Sequence, residues 1–282
     1  MPDENPILIY WRSELEVFTK NLLSLKERIN EEAIHDLRVA IKKLRSCFKT
    51  YSALINKKPQ KELPASVSSL FSILGRHRNI EMSKKLLLPL GGKNANLLKP
   101  ILVYLQLLQD QASEYSRPSI QQFQLGRLET LTNQIGTGLE HLNKEEILSK
   151  TNEIVDSSLK KVEDDLKHFK EKSHLVRKKL KDVFYQSKMF HGKSLLTKPQ
   201  LKTLDTILDH LGNIQDHEVL ILNLKNFRKT ILSNKMKEYS MIKRIEERAK
   251  KKKDELLEKA YRSTEELISD YKKEDVKDVA LK

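Results

Sequence analysis

Cysteine is almost absent from this sequence. Cys47 stands alone among 282 residues, which excludes an intrachain disulfide and any cysteine metal cluster and fits a reducing compartment. Glycine and proline are scarce, eight of each, too few for an all-β chain with its many tight turns. Long apolar runs are missing as well: none approaches the ~20 residues that a membrane-crossing helix needs. The N-terminal stretch MPDENPILIYWRSELEVF puts acids ahead of a short apolar segment, so it lacks the basic leader of a secretory signal. The expected location is the cytoplasm. Aromatic residues amount to 6%, few for the stacking surfaces that single-stranded nucleic-acid binders use.

What the chain has is charge. Asp, Glu, Lys and Arg make up 33% of it, with a net charge of +14, against 38% hydrophobic residues. That supplies a lean core, of the kind in which each helix buries one stripe. The cationic excess calls for an anionic partner, whether nucleic acid, membrane surface or polyphosphate. At roughly 150 residues per domain, the length suggests two units or one large one.

Nearly every segment repeats its apolar residues at helical steps. Leu8, Trp11, Leu15, Phe18, Leu22 and Leu25 set the pattern for a helix over about 7–25. The pattern predicts further helices over about 31–55, 64–74, 79–88, 97–115 and 120–142. Turns are expected near Pro59, at Gly91–Gly92 and at Arg117–Pro118. Gly75 and Gly212 read as helix ends, and Asn79 and Asp216 as the N-caps of the helices that follow. After Asn143 the series starts again, with helices over about 145–169, 173–190, 199–211, 216–232 and 236–271. GKS at 192–194 and SN at 233–234 are the expected turns. No strand alternation is evident, so the predicted class is all-α.

The restart is a repeat. Aligned on His35 and His174, HDLRVAIKKLR and HLVRKKLKDVFY share His, Arg and Lys at offsets 0, +3 and +7. Lys49 and Lys188 match at +14. Downstream, SILGRHRNIEM at 72–82 lines up with DHLGNIQDHEV at 209–219, pairing Gly75 with Gly212 and Glu81 with Glu218. Two blocks in one order at nearly one displacement imply a duplicated helical unit. The seam is placed near Asn143, giving units 1–143 and 144–282, with a frayed tail after about Tyr271.

At roughly 100° per residue, offsets 0, +3, +7, +10 and +14 fall within an arc of about 80°. His35, Arg38, Lys42, Arg45 and Lys49 therefore form one line, with Leu37, Ile41, Leu44, Phe48 and Tyr51 on the core side. The second copy keeps His174, Arg177, Lys181 and Lys188, but Phe184 replaces the position of Arg45. Lys178 and Lys179 flank that row, and Asp36 and Asp182 are expected to project elsewhere. Like charges at helical spacing cost about what opposite pairs gain, ~0.2–0.5 kcal/mol each. Two rows without neutralising acids thus point to an arriving anion, for which charge-assisted phosphate contacts are the strong class. The plainer reading is a pair of solvated basic faces, inherited together by duplication.

These paired motifs, with an LG-x-x-[RQ]-[ND] segment after each, resemble the CHAD family (conserved histidine α-helical domain) from about Ile7 to Tyr271. The resemblance implies two pseudo-symmetric four-helix bundles, with long basic helices lining a central groove or pore, and binding of inorganic polyphosphate. The implied contacts are His35, Arg38, Lys42, Arg45 and Lys49, then His174, Arg177, Lys181 and Lys188, with Arg78 added. Departures from the family pattern are Phe184 where arginine is common, Asn79 where Asp is usual and Gln215 where Arg is usual. Both histidines stay open between contacting phosphate as imidazolium and sitting neutral and hydrogen-bonded within a bundle.

Polyphosphate binding leads the functional readings, with association to polyphosphate granules as its cellular counterpart. Nucleic-acid binding is the alternative. An enzyme is not expected. The rows lack the paired acids that hold Mg²⁺ in phosphoryl transfer, and GGKNAN and GKSLL lack the phosphate-loop spacing. No metal site or cofactor is expected, since no His or carboxylate follows His35 or His174 at i+4. The basic segment KKKKDELLEKAYRSTEELI carries too many acids to dock on an anionic membrane.

Overall fold

The computed structural model describes residues 5–55, 63–92, 95–190 and 196–280. Among these the chain is all α-helical: α1 (Pro6–Glu27), α2 (Glu31–Leu54), α3 (Ala65–Gly91), α4 (Lys99–Gln121), α5 (Gly126–Leu139), α6 (Lys144–Leu166), α7 (Phe169–Lys188), α8 (Lys198–Thr230) and α9 (Lys237–Ala280). A 3-10 turn at Ala95–Leu98 leads into α4. The turns expected near Pro59 and at 192–194 lie outside the described residues.

Side-chain caps set four of the helix starts. Asn5, Asn30 and Asn143 each accept a backbone N–H of the first turn, and Thr197 does the same for α8. Asn143 belongs to a full capping box, its partner Glu146 reaching back to the Asn143 backbone N–H. The expected seam is therefore a well-made helix start. Glu31 and Glu32 place negative charge at the positive end of α2.

Three helix boundaries differ from the sequence reading. Gly75 does not end a helix, and Asn79 does not cap one: both lie inside α3, which runs unbroken for 27 residues. Gly212 and Asp216 likewise lie inside α8, of 33 residues. The third difference is at Arg117–Pro118, which does not break the chain. Pro118 sits in the last turn of α4, and the turn comes after Gln121. The final helix is described through Ala280, beyond Tyr271.

Apolar packing falls into three clusters. The first joins α1, α2 and α5 with parts of α3 and α4 around Trp11, Phe18, Leu44 and Ile135. The Trp11 indole donates to Thr132 Oγ1 at 2.8 Å, satisfying its one polar atom. A second cluster packs α6, α7, the start of α8 and the end of α9 around Val162, Leu180, Leu204 and Ala260. The third crosses between the halves: Ile80 and Leu87 of α3 and Ile101 and Leu105 of α4 meet Leu224 and Phe227 of α8 and Ile242 and Ile245 of α9. Asn223 reinforces that junction by donating to Ser83 Oγ at 2.9 Å.

The halves also meet through α2 and α7, by a polar contact. Gln186 Nε2 donates to Thr50 Oγ1 at 3.1 Å, and both groups are buried. Helix α2 thus packs on α3 and α7, and α8 packs on the same two. Four helices close a ring.

Candidate anion-binding site

Inside that ring lies a cavity of about 740 Å³. His35, Arg38, Lys42 and Arg45 reach it from α2, Arg78 from α3, and His174, Arg177 and Lys181 from α7. Eight of the ten residues singled out in the sequence thus share one space, joined by Lys178. Lys49 and Lys188 do not line it. Lys49 Nζ pairs with Asp182 Oδ2 at 2.5 Å across the α2–α7 contact. Lys188 Nζ lies 4.1 Å from the centre of the Phe184 ring and faces a smaller neighbouring cavity.

A helical glycine explains how Arg38 reaches inward. A Cβ added at Gly75 would come within 2.9 Å of Arg38 Nη1, and at Gly212 the nearest neighbour is Arg177 Nη2, at 3.7 Å. Gly75 gives Arg38 of the facing helix room to pass, whereas a Cβ at Gly212 would meet Arg177 at ordinary contact distance. Glycine costs about 1 kcal/mol relative to alanine inside a helix, so the space is kept at the expense of helix stability. Arg38 is then fixed by Nη1 donating to Phe71 O at 2.5 Å, with its guanidinium 4.1 Å from the Phe71 ring centre. Arg45 lies 4.4 Å over the same ring and donates to Ser68 Oγ at 3.1 Å. Arg177 donates from Nη1 to Gln215 Oε1, while its buried Nε has no hydrogen-bond partner.

Crowding shows in the acid–base behaviour. Burial, then Arg38 and Arg177, lower Lys42 to about 8. Burial, then Lys42 and Arg177, lower Lys181 to about 7. Arg38 falls to about 10 through burial and the neighbouring Arg78 and Arg45, and burial lowers Arg177 as well. Among the described residues, no carboxylate lies within ion-pair distance of Arg38, Lys42, Arg177 or Lys181. Arg78 does have a partner, Glu81 Oε1, at 3.0 Å.

Carboxylates are nevertheless present, which corrects the expectation of a wall without acids. Asp205, Asp209 and Asp216 of α8 line the cavity, and so does Asp182, which does not project elsewhere. Offsets 0, +4 and +11 put the three α8 residues within about 40° of one another on the helix. That periodicity was the available signal, but it lies on a helix that carries no basic row. Asp205 and Asp209 are exposed, whereas Asp216 is half-buried. Burial raises the Asp216 pKa, opposed first by Arg78 and Arg177. Phe71, Met82, Leu208 and Asn213 are parts of the wall that the sequence did not announce.

The two histidines occupy matching, exposed places, and among the described residues neither imidazole has a hydrogen-bond partner. Burial and then Arg78 lower the His35 pKa. No group of three His, Cys, Asp or Glu among the described residues is arranged to hold a metal ion. No helix among them is long and apolar enough to cross a membrane.

Comparison with known proteins agrees with this architecture. The family model for the CHAD domain matches residues 9–225. The crystal structure of the CHAD domain from the plant Ricinus communis is similar at a TM-score of 0.65 and 19% identity, covering 92% of this chain and 90% of that one. PptA from Streptomyces chartreusis is similar at 0.66 and 12% identity, covering 93% and 97% respectively. At such identities the likeness is one of fold. No curated protein is similar enough in sequence to match.

Proposed function

The chain belongs to the CHAD domain family, and on that premise we propose that it binds inorganic polyphosphate in the cavity between α2, α3, α7 and α8. The family is linked in general to polyphosphate and triphosphate binding. One observation supports extending this to the present chain. Arg38, Lys42, Arg177 and Lys181 converge half-buried from two helices, and the pKa values of all four are lowered by burial. Buried, unpaired cations are costly to a fold. A linear anion with a charge on every unit removes that cost along the whole row, through charge-assisted hydrogen bonds.

In this reading Arg38 and Arg177 are fixed donors, held by Phe71 and Gln215. Lys42 and Lys181 are the adjustable charges between them. His35 and His174 stand at the exposed ends of the rows, with Arg45 and Arg78 widening the first half. Lys49 and Lys188 contribute no contact inside this cavity. Binding proceeds by multivalent electrostatics with counterion release, so affinity falls steeply with salt.

The activity is binding, not turnover. The expected result is no phosphate release from polyphosphate or nucleoside triphosphates with Mg²⁺ or Mn²⁺; release abolished by changing Asp205, Asp209 or Asp216 would refute this. The direct test of the ligand is competition at moderate salt and equal phosphate concentration. Long-chain polyphosphate should hold the site against duplex DNA and RNA, and displacement by either would overturn the assignment.

A further inference from the structure

A smaller cavity of about 370 Å³ adjoins the first, with Phe184 and Tyr185 lining both. Its volume lies within the ordinary range for small-molecule sites, about 300–1,000 Å³. Two features of its wall are unexplained by the fold. Ser187 is 98% buried, and its Oγ has no hydrogen-bond partner; Tyr10 Oη is also buried without one. Buried hydroxyls left unpaired are costly to a fold, and here both belong to residues lining one hollow. Burial and the nearby Glu14 push the Tyr10 phenol above its ordinary value, so it stays a donor.

Two ammonium groups share the same wall. Lys43 gives one hydrogen bond to Glu14 Oε1, at 2.7 Å, which leaves two of its three donors. Lys188 is exposed and sits over the Phe184 face. The rest of the wall is flat or apolar, from Tyr10, Phe184, Tyr185 and Leu201. A bare phosphate would use the donors and leave this surface uncovered. A neutral aromatic compound would cover the surface and leave the donors unpaired.

We propose that this cavity is a second binding site, for a small organic phosphate of nucleoside monophosphate size, its phosphate held by Lys43, Lys188, Ser187 and Tyr10 and its flat part against Phe184, Tyr185 and Leu201. The site is distinct from the polyphosphate cavity and does not rest on that assignment. The replacement of the Arg45-equivalent cation by Phe184 acquires a purpose here. It interrupts the second basic row and supplies an aromatic wall on its far side.

The test titrates the full chain with AMP, adenosine, inorganic phosphate and long-chain polyphosphate, following heat by calorimetry and melting temperature. AMP should bind with one-to-one stoichiometry whether or not saturating polyphosphate is present, and at least tenfold more tightly than adenosine or inorganic phosphate. Tyr10→Phe with Ser187→Ala should lower AMP affinity at least tenfold while leaving folding intact, since each change removes an unpaired hydroxyl. Leu201→Trp, which fills the hollow from its half-buried side, should abolish binding. Absence of AMP binding, equal affinity for inorganic phosphate, or unchanged affinity in both variants would overturn the site. Blockage of AMP by polyphosphate would also overturn it, because the two cavities would then be one continuous anion channel. AMP binding without polyphosphate binding would leave this inference standing and remove the other.

Discussion

Proton uptake gives the most quantitative check on the crowded cavity. With Lys42 at about 8 and Lys181 at about 7, at pH 8 about half of the first and nine-tenths of the second are neutral, roughly 1.4 protons missing in all. A phosphate chain favours the charged form of both ammonium groups. Filling the cavity at pH 8 should therefore draw in about 1.4 protons, treated as a property of the coupled pair. Between pH 7 and pH 9 the binding constant should fall by about 2.7 log units through these two groups alone. The slope should fade below about pH 6, where both are already charged. Calorimetric titration with long-chain polyphosphate in buffers of different ionisation enthalpy reads the uptake directly. Lys42→Met with Lys181→Met should lower affinity at pH 6.5 and remove most of the pH dependence. Uptake near zero in the unaltered protein would mean that these lysines are either charged before the ligand arrives or outside its reach, and the electrostatic account would fail.

The free protein should show the converse behaviour. Lowered folded-state values mean that the unfolded chain binds more protons between about pH 7 and the ordinary lysine range. Stability should accordingly rise as pH climbs from 6.5 to 9, and saturating polyphosphate should flatten that trend; denaturant midpoints at the two pH values decide. Lys42→Met alone should raise the melting temperature at pH 7, by about 2–4 °C for each kcal/mol of relieved charge burial. Arg38→Ala should not, because it gives up the Phe71 carbonyl bond and ring contact. Gly75→Ala should gain up to about 1 kcal/mol of helix stability yet weaken polyphosphate binding several-fold by displacing Arg38, whereas Gly212→Ala should gain stability with little change in binding. Asp216→Asn should strengthen binding several-fold at pH 6.5, where the lysines are charged, by removing a carboxylate from the wall. Weaker binding in that variant would show that Asp216 positions the cations instead of opposing the ligand.

Much of this molecule was legible in its sequence because helices announce themselves locally. The apolar step along α2 and the cationic step on its other face are both i, i+3/i+4 patterns, and the structure brings the cations of α2 and α7, apart from Lys49 and Lys188, into one space. What local pattern could not convey is what a neighbouring helix does. Gly75 and Gly212 look like helix stops when only their own segments are considered; the reason for Gly75 lies in Arg38, contributed by the facing helix. Asp182 lies at the edge of a basic row, and its partner Lys49 comes from the other half of the chain. The α8 acids share a face, but nothing in their own segment says that this face meets the cations of α2 and α7. Likewise the third apolar cluster, between α3–α4 and α8–α9, joins residues far apart in the chain, and no single periodic segment reveals it.

The closure of α2, α3, α8 and α7 into an unbroken circuit has a kinetic consequence. A hinged jaw could clamp a polymer anywhere along its length, but in the proposed binding mode the strand lies among four helices, each packed on two of the others. Under that proposal a long strand should enter lengthwise, tip first or as a bent loop that needs twice the width. Loading should therefore depend on how many free tips are present: the same mass of polymer cut into shorter pieces should be captured faster, and a covalently closed loop slowest of all.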